Sequence, residues 1–227
     1  MAEGLRVENL QVRYGDATAL SDATLDLPPG ARIGTGSPRR AAQLLLLRPD
    51  VRPVPVRGNA DTRLAKLAAG DVDAVVLGYA GLARIGRLDA ATQVFDPDEM
   101  LPAPGQGALA VECRSGRPEL AALLAHVDDA VSRAATTAER SLLAALQAGC
   151  SAPVGGYAAG AGELRLRACV VAAAGETALR ASAGRPAGEA ERLGCEVAAE
   201  LLRRGAGRYT AVSAGTAGHI SNGDDDQ

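Results

Sequence analysis

At 227 residues, with 47% apolar and 22% charged residues, the chain is long enough for one large or two small globular domains. Aromatics at 2% leave no platform for stacking bases and a net charge of −3 gives no global basic field, which excludes nucleic acid as a partner. No apolar run approaches membrane-spanning length and the opening MAEGLRVENLQVRYG lacks an apolar signal core, so the expected setting is the cytoplasm, away from membranes.

In chain order, LRVENLQVR (5–13) alternates apolar and polar residues, and 18–27 does so less strictly. Tyr14-Gly15-Asp16 lies between them, which predicts a β-hairpin closed off by Pro28-Pro29-Gly30. ARIGTG then reads as a short strand, 38–47 as a helix, VRPVPVRG as a strand, 61–69 as a helix and DAVVLGYAGL as a fully apolar strand. Strands alternating with helices imply parallel βαβ units covered on both faces. LPAPGQGALAVEC, with two prolines and two glycines before a further strand, reads as a crossover. Helical segments at 117–127 and 130–148 follow, the second stopping at Gly149-Cys150 before SAPVGGY. Strands ELRLRACVVAA and TALRASAGR and a helix at 187–204 make a small α+β unit, and the tail HISNGDDDQ reads as disordered.

Cys113, Cys150, Cys169 and Cys195 are widely spaced, with no C-x-x-C pair and no neighbouring histidine. Free thiols are therefore expected, with no metal site and no disulfide. Positive charge is almost all arginine, Lys66 being the single lysine.

PGARIGTGSPRRAAQ (29–43) is the most distinctive stretch, a glycine turn running into an arginine-rich helix start. Ser37 suits the N-cap, Pro38 the first helical position, and Arg39 and Arg40 follow at once. Free N–H groups and dipole at a helix N-terminus attract anions, and paired guanidinium forks favour planar carboxylates. A capped surface helix with solvated arginines is the plainer account and stands ahead on this motif alone. The balance shifts with Arg57-Gly58-Asn59, Arg63 one turn later, and the Ala80-Gly81-Leu82 loop with Arg84. In an open parallel sheet these all fall beyond the carboxyl ends of strands, where ligands bind. Four or five arginines around one crevice imply a ligand with several acidic groups.

Two resemblances bear on this choice. Residues 1–33 resemble the opening hairpin of an ABC-transporter ATPase domain, with Tyr14 where an aromatic stacks on adenine. No G-x-x-x-x-G-K-[ST] follows, and no lysine precedes Lys66, so ATP chemistry is rejected. GTGSPRRAAQL, VRGNADTRLAKL, DAVVLGYAGLARIGRL, LPAPGQGALAVEC, TAERSLLAAL and GCSAPVGGYA occur in the order found in the porphobilinogen deaminase (hydroxymethylbilane synthase) family, over about residues 28–210. Six blocks in order make this resemblance specific.

The family joins four porphobilinogens head to tail, releasing ammonia each time, on a dipyrromethane held by a thioether to cysteine. The resemblance implies that Cys150 carries this cofactor, that Ser37, Arg39, Arg40, Arg63 and Gln106 bind it, and that Arg57, Arg63 and Arg84 hold acetates and propionates of porphobilinogen. Cys169, Cys195 and Cys113 then read as inert fillers. It implies an α/β fold: a periplasmic-binding-protein-like parallel βαβ domain (31–103) with an arginine-lined cleft, a return segment of the family's first domain (104–128) and a small α+β C-terminal domain (129–216). The N-terminal β-hairpin (1–30) and the disordered tail (217–227) lie outside them. The implied protein is a monomeric transferase of tetrapyrrole and heme biosynthesis in the cytoplasm.

The family's R-x-S-x-L-A block, basic glycine-rich loop and H-S-x-K-D-x-P segment do not occur here. The aspartate of that last segment is the family's catalytic residue, and none of Asp16, Asp22, Asp26, Asp61 or Asp71 has the context to replace it. The catalytic residue is thus unassigned, and a cleft lacking most of one wall is expected to stabilise charge and exclude water poorly. A first domain supplied by a second polypeptide would restore it. The alternatives are a non-catalytic binder of dipyrromethane or other polycarboxylates and an inert gene-fusion product. The strand in GALAVEC is expected to have an open edge, which the N-terminal hairpin partly covers.

Overall fold

The computed structural model describes residues 10–14, 17–23, 27–149 and 151–210, with side chains described from Leu27 onward. Cys150 and the tail at 217–227 lie outside the described residues, as does most of the turn at Tyr14-Gly15-Asp16. The fold is mixed α/β, with parallel and antiparallel sheets.

The predicted hairpin is present as β1 (Leu10–Tyr14) and β2 (Ala17–Ala23), paired antiparallel with Tyr14 opposite Ala17. A three-stranded parallel sheet follows, with β3 (Arg32–Gly34) in the centre between β4 (Arg52–Val54) and β5 (Ala74–Val75). Helix α1 (Pro38–Leu47) connects β3 to β4, and α2 (Ala60–Ala68) connects β4 to β5, as the alternating pattern requires. Both helix starts are capped: the Ser37 hydroxyl accepts from the Arg40 amide at 3.4 Å and the Asn59 side chain from the Thr62 amide at 2.9 Å. Ile33, Leu44, Val51 and Met100 form the core of this part, with Phe95 and Val76 packed against them.

The apolar run DAVVLGYAGL is not one long strand. After β5 the chain bonds once more, Val76 amide to Gly34 carbonyl at 3.0 Å, and then forms α3 (Tyr79–Arg84). The reason lies in the partner: β3 ends at Gly34 as its chain turns into α1, so an extended 77–82 has no ladder to join.

GALAVEC also departs from expectation. Residues 108–114 form no strand, and Leu109 and Val111 stand 75% and 62% exposed. Alternation makes a strand only where a neighbouring backbone pairs with it, and none of the described residues does. The cover expected from the hairpin would involve side chains outside the described residues. Helices α4 (Pro118–Leu124) and α5 (Ala130–Ala145) follow, joined by a 3-10 turn at Ala125–Val127.

The second sheet is antiparallel, in the order β6 (Val154–Ala159), β7 (Glu163–Val171), β8 (Ala178–Pro186). Helix α6 (Ala190–Arg203) and the short α7 (Gly207–Thr210) complete the described chain. The two-residue period of β7 divides its side chains. Leu164, Leu166, Ala168 and Val170 enter the largest core with α5 and α6, while Cys169 and Val171 pack on the other face against Ala42 of α1 and Leu101. Strand β6 was not anticipated, because Gly155 and Gly156 break the strand pattern. Both glycines are set by close approach: a Cβ on Gly155 would lie 2.7 Å from Leu101 Cβ, and one on Gly156 would lie 3.1 Å from Pro104 Cγ.

The crossover from Met100 to Gln106 is bonded on both sides. Gln43 of α1 donates to the Leu101 carbonyl at 3.1 Å and accepts from its amide at 2.9 Å. The Gly156 amide donates to the Pro102 carbonyl at 3.0 Å, and the Gly105 amide to the Glu139 carboxylate at 2.5 Å.

Candidate functional site

A cleft of about 1310 Å³ opens between the carboxyl end of the parallel sheet, the crossover and the antiparallel sheet. Arg40, Arg63, Arg84 and Gln106 line it together, so four of the residues singled out from the sequence converge. Arg40 donates to the Val76 carbonyl at 3.0 Å, which fixes its fork at the end of β5. Arg63 donates through Nε to the Gly58 carbonyl at 2.9 Å and so lies back over the start of its own helix. Arg84 closes α3 and is exposed.

Arg39 takes a different place. It is 5% exposed beneath the cleft floor, donating to the Leu101 carbonyl and, at 3.5 Å, to Gln106 Oε1. Gln106 Oε1 also accepts from the Ala103 amide at 3.2 Å, so the turn at the cleft edge and the buried guanidinium share one acceptor. Burial, with Arg40 next to it, pushes the Arg39 guanidinium down to about 10. Burial, then the neighbouring Arg63, lowers Arg40. Among the described residues none of Arg39, Arg40, Arg63 and Arg84 is paired with a carboxylate. Burial of Arg39 and Arg40, with Arg63 and Arg84 at the same open cleft, favours a ligand that brings several negative charges.

Two anticipated residues stand apart. Ser37 spends its hydroxyl on the α1 cap and does not line the cleft, and Arg57 is exposed outside the lining. The thiol expectations are mixed. Cys169 is a buried filler, 0% exposed, whereas Cys113 and Cys195 are exposed and fill nothing. Among the described residues no group of three or more histidine, cysteine or acidic side chains is placed to hold a metal, and no helix is long and apolar enough to cross a membrane.

Among the lining residues that sequence reasoning did not single out, three bear on the chemistry of the cleft. Arg167 and Tyr157 come from the antiparallel sheet, and Glu139 comes from α5. The signal for Arg167 was present in the alternation of ELRLRACVV, but which face meets the cleft is decided by packing against α1. Glu139 is 7% exposed and accepts from two backbone amides, Gly105 at 2.5 Å and Ala158 at 2.8 Å. It therefore clips the crossover turn to β6. Burial raises its carboxyl above the ordinary value of 4.5, against the two amide bonds that favour the charged form.

Replacing Glu139 with Gln is expected to cost about 1–3 kcal/mol, since the amide NH2 faces one of two buried N–H donors and leaves it unsatisfied. The raised folded-state value means that Glu139's linkage contribution to stability is full below the unfolded value near 4.5 and is lost as pH rises through the folded value. Other shifted carboxylates titrate in both chains, so the check is the difference in unfolding free energy between wild type and Glu139→Gln, which should shrink as pH rises through that window.

Two family models match the chain. One, described as porphobilinogen deaminase, dipyromethane cofactor binding domain, matches residues 4–122, and the other, porphobilinogen deaminase, C-terminal domain, matches residues 134–203. Curated relatives named porphobilinogen deaminase include those of Thermobifida fusca (strain YX), 65% identical over 150 residues, and Mycobacterium avium (strain 104), 52% identical over 203. That of Mycobacterium tuberculosis (strain ATCC 25177 / H37Ra) is 54% identical over 191 residues. These matches cover 65%, 84% and 80% of this chain but 47%, 64% and 62% of the relatives, so the chain spans between about half and just under two thirds of their length.

Proposed function

Because the chain belongs to the porphobilinogen deaminase family, we propose that its arginine cleft holds a dipyrromethane joined by a thioether to Cys150 and receives porphobilinogen for head-to-tail condensation with release of ammonia. The observation that carries this reading is the convergence of Arg40, Arg63 and Arg84, none paired with a carboxylate among the described residues, on one cleft of about 1310 Å³. Each pyrrole brings two carboxylates, and a chain that lengthens ring by ring multiplies them. Guanidinium forks answer that chemistry, with Gln106 at the crossover edge and Arg39 adding buried positive charge behind Arg40.

In this reading, residues 31–103 are a periplasmic-binding-protein-like βαβ domain and residues 129–216 a small α+β C-terminal domain, the whole acting as a monomer in the cytoplasm. Residues 1–227 contain no H-S-x-K-D-x-P segment, and Glu139, the buried carboxylate of the cleft, is committed to two amides. A binder that turns over little or not at all without an added catalytic carboxylate is therefore the form of the reading favoured for these residues alone.

The test is intact-mass measurement of the chain as purified and after incubation with porphobilinogen, alongside assay for a uroporphyrin product. The expected result is a mass gain of two pyrrole rings with little or no turnover. An unmodified mass together with no porphobilinogen binding overturns the reading, and robust turnover overturns its non-catalytic form.

A further inference from the structure

Among the described residues, Arg167 is the one cleft arginine that already has a carboxylate partner. It lies on β7 directly opposite Tyr157 of β6, its guanidinium 5.3 Å from the ring centroid, and it lines the cleft. Its partner is Asp98, which reaches it from the turn at 96–99 just before the crossover. The two ends of this pair are unlike. Arg167 is 31% exposed and stacked on an aromatic platform, whereas Asp98 is 73% exposed. Nor does the turn depend on the pair for its shape: the Asp98 amide donates to Asp96 Oδ1 at 2.7 Å and the Asp96 amide to Glu99 Oε2 at 2.8 Å. A solvated ion pair of this kind contributes little to stability, so exchanging its carboxylate for another costs little.

We propose that Arg167 is a further carboxylate-binding residue of the cleft and that Asp98 stands in for the ligand's carboxylate until a ligand arrives. This rests on reading the cleft as a polycarboxylate site. Arg40, Arg63 and Arg84 approach from the parallel-sheet side, and Arg167 approaches from the antiparallel sheet. A ligand with carboxylates on two sides is thereby gripped across the cleft, whereas a monocarboxylate reaches one side only. Stacking on Tyr157 holds the fork ready, so little side-chain freedom is lost when the partner changes.

The test is calorimetric titration of porphobilinogen into the full chain and five variants: Arg167→Ala, Arg167→Lys, Asp98→Asn, the Asp98→Asn/Arg167→Ala double variant, and Arg63→Ala. Removing the competing carboxylate in Asp98→Asn should tighten binding about threefold, and Arg167→Ala should weaken it about tenfold, with Arg167→Lys between wild type and Arg167→Ala. In the double variant the gain from Asp98→Asn should vanish, which separates a displaced partner from a general change in charge. Unchanged or weaker binding by Asp98→Asn, or a gain that persists without Arg167, overturns the proposal. If Arg63→Ala weakens binding while Arg167→Ala does not, the proposal falls and the cleft reading stands. If neither does, or the unsubstituted chain does not bind, both fall.

Discussion

A Cys150→Ser chain is expected to carry no covalently held pyrrole, with the mass gain lost completely and affinity for porphobilinogen kept within a few-fold. Serine preserves the size of the side chain and leaves every cleft arginine in place, while its hydroxyl is a far weaker nucleophile than a thiolate. The other cysteines cannot take over. Cys169 is 0% exposed, with its Sγ 3.7 Å from Gln43 Oε1, and burial pushes its thiol up. Cys195 is exposed on α6, which packs on the face of the antiparallel sheet turned away from Arg167. Cys113 is exposed in the segment at 108–114, outside the cleft lining. Cys150 lies between Gly149 and Ser151, both exposed, in the connection from α5 to β6, and each of those elements contributes to the cleft through Glu139 and Tyr157. Intact mass reads the result directly, and an adduct that survives in Cys150→Ser would refute the attachment.

A large loss of stability is expected at Gly194. A Cβ there would lie 2.3 Å from the Ala138 carbonyl oxygen, 2.7 Å from the Leu142 amide nitrogen and 2.7 Å from Ser141 Cβ. Helices α5 and α6 thus touch backbone to backbone at this point, and no rotamer of any side chain relieves the clash. Gly194→Ala should destabilise by about 2 kcal/mol and Gly194→Leu by about 4 kcal/mol or more, lowering the melting temperature by roughly 10 °C in the second case. Helix propensity alone predicts the opposite sign for alanine, a gain of about 1 kcal/mol. Thermal and urea unfolding followed by circular dichroism decide between them, and a Gly194→Ala chain as stable as wild type would refute the contact. The site should feel the change as well, because Glu139 adjoins Ala138 and holds the crossover turn.

What the sequence reveals follows from how local each feature is. The helix at 38–47 was legible because Ser37-Pro38 writes its own start. Arg40, Arg63 and Arg84 were legible as a group because parallel βαβ connections place them beyond strand ends whatever the packing. Strand β6 was hidden, since its glycines answer to Leu101 and Pro104, more than fifty residues earlier in the chain. The apolar runs at 73–82 and 107–113 read as whole strands, but among the described residues the first finds a neighbouring backbone only as far as Val76 and the second finds none. Arg57 and Ser37 illustrate the converse: a motif fixes residue type and spacing, while the side chain answers to the nearest cap or to solvent. Arg167 and Glu139 enter the site from elements whose facing only the assembled sheet determines.

The crossover between Met100 and Gln106 is grasped by Gln43 and Arg39 from one side and by Gly156 and Glu139 from the other. A joint riveted at both ends is a poor swivel. The gap it spans is accordingly expected to keep one width whether empty or filled, so that on the proposed reading a pyrrole ligand has to suit the spacing it finds.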